Sequence, residues 1–129
     1  MGATKLSENK NVIAIIDDEP SVLRGLKRLL DASNFNTAVF DSGEAFLERG
    51  ITSDIACIVL DIHLGGMSGI DMRRRLKAQG SKTPVIFMTA LDSPEVRNQA
   101  ANAGCAAYLP KPFSGAALID AIRKATPSV

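Results

Sequence analysis

The feature that most constrains the fold is a series of short apolar runs with helix-patterned segments between them. "NVIAII" (11–16), "IACIVL" (55–60) and "TPVIFMTA" (83–90) are broken by polar residues only at their ends. A strand with one face in water would alternate polar and apolar residues, so these runs describe strands covered on both faces. "NTAVF" (36–40) and "AAYLP" (106–110) read as two shorter strands. Pro20 opens the first helical segment, where its missing N–H does no harm, and Val22, Leu23, Leu26, Leu29 and Leu30 form its apolar stripe to about residue 32. "DSGEAFLERG" (41–50) begins on capping residues and closes on Gly50, and "GIDMRRRLKAQG" (69–80) closes on Gly80. The basic run Arg73, Arg74, Arg75 and Lys77 reads as a solvated face of that helix. "SPEVRNQAANAG" (93–104) has Ser93 as its cap, Pro94 in the first turn and a core stripe of Val96, Ala100 and Ala103. The small size of that stripe predicts a lightly packed helix that can shift. "SGAALIDAIRKA" (114–125) is capped by Ser114 and turns Leu118, Ile119 and Ile122 inward.

Five strand–helix units with continuous apolar strands predict an α/β fold: a doubly wound parallel sheet with five helices on its two faces. The chain of 129 residues suits one domain, spanning 11–126, with a flexible N-terminal segment (1–10), a short tail (127–129) and no output domain visible. Hydrophobic content of 46% and charged content of 22% fit an ordinary globular domain. No apolar stretch reaches bilayer length, and the polar start "MGATKLSENK" is neither a secretory signal nor a good myristoylation site, so no membrane partner is expected. A formal net charge of +1 argues against nucleic-acid binding driven by bulk charge. Cys57 and Cys105 lie among apolar or small neighbours and read as buried free thiols, which fits a cytoplasmic protein.

All carboxyl ends of a parallel sheet lie on one edge, where ligands bind in such folds. The first strand ends in Asp17 and Asp18, the third in Asp61, the fourth in Thr89 and Ala90, and the fifth in "LPKPF", with Lys111 between two prolines. The second strand ends in Asp41 and Ser42, which read as helix caps. Three carboxylates meeting in one shallow pocket repel one another and need a cation. A hard divalent ion with oxygen ligands fits, Mg²⁺ by preference and Mn²⁺ as a substitute. With an ammonium at Lys111 and a hydroxyl at Thr89, these are the parts for phosphoryl transfer to an aspartate. No GxxxxGK[ST] loop and no GxGxxG turn is present, and a lone histidine, His63, cannot build a histidine cluster or a triad. Taken singly, Asp17, Asp18 and Asp61 could each be plain helix caps, and Tyr108 plain core.

"IIDDEP", "VLDIHLGGMSG", "MTA" and "YLPKPF", in this order and spacing, resemble the response-regulator receiver domains of two-component signalling. The resemblance covers residues 11–125, and "DDEPSVLRGLKRLL" and "GEAFLERG" look most like receivers that precede a LuxR-type DNA-binding domain. It implies a flavodoxin-like sheet of order 2-1-3-4-5. Asp61 would be the phosphoacceptor, with Asp18, Asp61 and the backbone carbonyl of His63 on Mg²⁺ and Asp17 acting on it through water. Thr89 and Lys111 would hold the phosphoryl oxygens, Ala90 would leave room beside them, and Tyr108 would be the switch aromatic that turns inward as Thr89 moves. Lys111-Pro112 would be a cis peptide. The side chains of His63 and Leu91 would overhang the pocket and tune hydrolysis. The implied donor is a histidine kinase or phosphotransfer protein. The implied output face comprises the fourth helix, fifth strand and fifth helix, used by a homodimer or a downstream partner. Such a chain is a signalling switch that catalyses only its own phosphorylation and slow autodephosphorylation, not an enzyme in the wider sense. One departure stands out, since the family usually has proline where this chain has Gly65. Three rival readings have discriminators in the residues. A receiver fold that is never phosphorylated would lack one of the acids, the threonine or the lysine. An aspartyl phosphatase usually has a second acid where His63 stands. A flavin protein would need aromatic residues that a chain with no Trp and one Tyr does not have.

Overall fold

The computed structural model describes residues 11–50, 52 and 54–127; the expected N-terminal segment (1–10) and the tail residues 128–129 lie outside the described residues. Strands β1 (Val12–Ile16), β2 (Asn36–Phe40), β3 (Ile55–Asp61), β4 (Val85–Thr89) and β5 (Ala107–Pro110) alternate with helices α1 (Pro20–Ala32), α2 (Gly43–Arg49), α3 (Gly69–Ala78), α4 (Pro94–Ala103) and α5 (Gly115–Ala125). All strand pairs are parallel and the sheet order is β2-β1-β3-β4-β5, the doubly wound arrangement the apolar runs predict. Alternate residues of each buried strand enter two separate cores, which is why the runs carry no polar face. Ile13, Ile15, Cys57, Val59, Ile86 and Met88 pack under α1 and α5 through Leu23, Leu30, Leu118 and Ile122. Ala14, Ile16, Ile58, Leu60, Val85 and Phe87 pack on the opposite face against Phe46 of α2, Met72 and Leu76 of α3, and Ala100 and Ala103 of α4.

The helix starts at Ser42, Ser93 and Ser114 behave as their sequences predict, and Ser68 adds a cap that the sequence reading did not single out. Ser42, Ser68, Ser93 and Ser114 each accept a hydrogen bond from the N–H three residues on, satisfying one orphan donor of the first turn. Gly50, Gly80 and Gly104 take positive φ where α2, α3 and α4 end. Some boundaries differ from expectation. β4 is shorter than 83–90 because Pro84 has no N–H to give the ladder, although its carbonyl still accepts from Ile58 at 3.0 Å. β3 runs one residue further and takes in Asp61, and α3 ends at Ala78.

Two side-chain expectations are corrected. Arg73 is not part of a solvated face: it is half-buried, and its Nε donates to the Gly104 carbonyl at 2.7 Å, tying α3 to the end of α4. Carbonyls at a helix end lack intrahelical partners, and a cation is a favourable one. Arg74, Arg75 and Lys77 are exposed as expected. Cys57 is fully buried, which pushes its thiol up to about 12, but Cys105 is only half-buried; both are free. Among the described residues no helix is long and apolar enough to cross a membrane.

Candidate functional site

The register brings the strand ends into one row. Ile16 pairs with Leu60 and Asp61 with Met88, while Thr89 pairs with Pro110, so the ends of β1 and β4 flank the end of β3 and the residues after β5 lie one strand further on. Asp17 is fully buried; its Oδ1 accepts from the Glu19 N–H at 2.9 Å and its Oδ2 from Lys111 Nζ at 2.8 Å. Asp61 is buried as well; its Oδ1 accepts from the His63 N–H at 3.3 Å and its Oδ2 lies 3.6 Å from Lys111 Nζ. Asp18 is exposed, and its Oδ2 accepts from the Gly65 N–H at 3.2 Å. One carboxylate oxygen from each of Asp17, Asp18 and Asp61 lies within 4.8 Å of the others. The Lys111–Pro112 peptide is cis.

Electrostatics at the cluster follow from burial and like charge. Loss of water, then the Asp17 carboxylate, push Asp61 above the usual carboxylate range, against the pull of Lys111 and the His63 N–H. Burial works against the Lys111 ammonium, but the hydrogen bond with Asp17 and the charges of Asp61, Asp17 and Glu19 outweigh it and hold the lysine above its ordinary value. One ammonium against three carboxylates leaves a net negative site whose donors are all oxygen, and the exposed Asp18 marks its open side. That donor set fits a hard divalent cation such as Mg²⁺.

The remaining predicted residues are distributed around this cluster. Thr89 is fully buried, and its Oγ1 accepts from the Leu91 N–H at 3.0 Å. The side chains of Leu91, 64% exposed, and His63 stand in solvent on the loops that follow β4 and β3. Ala90 is exposed. Tyr108 packs its ring partly against the core, while its hydroxyl donates to Asp92 Oδ1 at 2.8 Å. Arg97 binds the other oxygen of Asp92 at 2.7 Å and lies over the tyrosine ring, 4.9 Å from its centre. Burial and then Asp92 push the phenol up to about 12, and the phenol in turn holds Asp92 below the ordinary carboxylate value, helped by Arg97. In this arrangement Tyr108 is engaged by Asp92 and Arg97, two residues that sequence reading passes over because they look like ordinary surface charge beside a helix cap.

Two further features escaped sequence reading. A Cβ at Gly69 would sit 2.3 Å from the Asp61 carbonyl oxygen and 2.9 Å from Ile62 Cα, so α3 begins in backbone contact with the strand end that carries Asp61. Glu44, at the start of α2, accepts from the Met67 N–H at 3.1 Å and leaves a Cβ at Gly66 only 2.9 Å from its Oε2; Gly66 has φ +88°. Glycine in place of proline at residue 65 reads in the sequence as a looser loop, whereas here the loop is held by two carboxylates, Asp18 at the Gly65 N–H and Glu44 at the Met67 N–H. A groove of about 470 Å³ between the ends of α2 and α3, lined by Leu47, Arg75, Gln79 and Ser81, includes none of the clustered acids.

Residues 13–123 match the family described as the response regulator receiver domain. The transcriptional regulatory protein TdiR of Thauera aromatica is 33% identical over 125 residues, 97% of this chain and 55% of that protein. The transcriptional regulatory protein FixJ of Azorhizobium caulinodans is 36% identical over 111 residues, 86% of this chain and 53% of that protein. This chain therefore spans about half the length of these relatives. Among solved structures, the crystal structure of FixJ-N superposes with a TM-score of 0.83 at 28% identity, covering 94% of this chain and 97% of that one.

Proposed function

Because the chain belongs to the response regulator receiver domains of two-component signalling, we propose that it is a phosphoacceptor switch that takes a phosphoryl group from a phosphohistidine onto Asp61. The observation that carries the reading is the placement of Lys111 Nζ between Asp17, at 2.8 Å, and Asp61, at 3.6 Å, on the carboxyl edge of the sheet. An Asp61 oxygen attacks phosphorus, a P–O bond forms, the P–N bond to the donor imidazole breaks, and the imidazole nitrogen takes a proton from water. Lys111 meets the negative charge of the incoming phosphoryl oxygens, and it is already aimed at Asp61 rather than recruited during the step. Asp17, bound to Lys111 and the Glu19 N–H, keeps that ammonium oriented. Thr89 offers a hydroxyl that can leave the Leu91 N–H to donate to a phosphoryl oxygen. Mg²⁺, held by Asp18, Asp61 and the His63 carbonyl with Asp17 through water, would supply positive charge to the transferred group.

In this reading the donor is a histidine kinase or phosphotransfer protein, and the chain is a cytoplasmic switch rather than an enzyme acting on other substrates. Phosphorylation pulls Thr89 toward Asp61 and frees space for Tyr108, which leaves Asp92. The face made by α4, β5 and α5 then changes its surface and docks a partner, an output domain or a second copy. The domain does not itself bind nucleic acid. Incubation with acetyl phosphate and Mg²⁺, read by intact mass, tests the proposal: a phosphoryl adduct that hydroxylamine removes is expected, and Asp61→Ala should lack it. An unmodified wild-type mass, or an adduct that survives in Asp61→Ala, overturns it.

A further inference from the structure

Each acid of the cluster is oriented by one backbone N–H. Asp17 and Asp61 use the amide two residues on, Glu19 and His63, so their donors come with their own turns. Asp18 is different. It is the exposed acid of the three, and its donor is the Gly65 N–H, 47 residues away in the loop between β3 and α3. An exposed carboxylate rotates freely unless something holds it, and a metal that uses it must then pay the lost freedom on binding. The loop that presents Gly65 is itself anchored from the other side, because Glu44 of α2 accepts the Met67 N–H and crowds Gly66. We infer that Gly65 is a positioning residue for the divalent cation: its N–H holds Asp18 Oδ2 within the acid cluster before the ion arrives. This rests on the reading of the cluster as a Mg²⁺ site.

The geometry separates the amide from the side chain. A Cβ at residue 65 would meet only Asp18 Oδ2, at 3.7 Å, which is ordinary contact, so alanine fits and keeps the N–H. Proline alone removes the donor. The experiment measures Mn²⁺ binding by electron paramagnetic resonance of the free ion, with MgCl₂ as competitor. Gly65→Pro should bind about three- to tenfold more weakly than wild type, the range one solvent-exposed hydrogen bond supports, and Gly65→Ala should restore the affinity. Equal binding by wild type and Gly65→Pro, or equal loss in Gly65→Ala, overturns the inference. A wild-type protein that binds neither ion overturns the underlying reading instead. A second measurement does not depend on how Gly65→Pro folds. In metal-free protein, Asp18→Ala should speed hydrogen exchange at the Gly65 amide at least tenfold while exchange at the Glu19 amide is unchanged; unchanged exchange at Gly65 overturns the inference.

Discussion

Asp61 is charged at a cost to the fold. Burial and the neighbouring Asp17 raise its carboxyl above the usual range despite Lys111, so the folded protein favours the neutral form. The charge therefore costs stability above the raised value, and that cost shrinks as pH falls below it and is gone below the ordinary carboxylate range. Asp61→Asn keeps an oxygen for the His63 N–H and leaves Lys111 to Asp17. In metal-free buffer at pH 7 it should be more stable than wild type by about 1 kcal/mol in urea unfolding, while losing the proposed phosphoryl acceptor; equal or lower stability would contradict this account. The acids, Thr89 and Lys111 are legible in the sequence because each stands directly after an apolar run. Gly69 is not, since its requirement comes from the Asp61 carbonyl 2.3 Å from a would-be Cβ, a contact that exists only once α3 has docked on β3. Arg73 was misread for the same reason, because its partner, the Gly104 carbonyl, belongs to another helix.

Between elements, the contact of most consequence joins β5 to the loop before α4. Tyr108, Asp92 and Arg97 form a small clasp across that junction. The chain has one tyrosine and no tryptophan, so absorbance near 295 nm reports ionisation of Tyr108 alone. Its midpoint should lie at about 12, and Asp92→Ala should bring it part of the way back toward about 10, the ordinary value, since burial still holds it up. The stability this phenol contributes is complete below its unfolded value and is lost as pH rises through about 12. A midpoint unmoved by Asp92→Ala would mean the clasp is not formed in solution. At this scale every strand and helix was legible from apolar runs, Ser caps and terminal glycines. The ends of β4 were not, because a strand stops where its neighbour's ladder stops, and pairing of Val85 with Ile58 is not written in either segment alone.

At the scale of the molecule, the sheet order follows from the alternation of strands and helices together with the receiver resemblance, and the site is its consequence. No strand owns the site: β1 and β3 deliver its acids and β5 its lysine, with Thr89 beside them at the end of β4. A ligand that needs all of them must stabilise the folded state as a whole. MgCl₂ at ten times its Kd should raise the unfolding free energy by about 1.4 kcal/mol, and Asp18→Ala should abolish the increment; an increment that persists would place the ion elsewhere. Lys111 reaches back 94 residues to Asp17. During synthesis, the amino-terminal half of the site emerges from the ribosome long before its lysine does. A chain broken off before the last strand therefore carries Asp17, Asp18 and Asp61 without the ammonium that meets two of them in the folded protein.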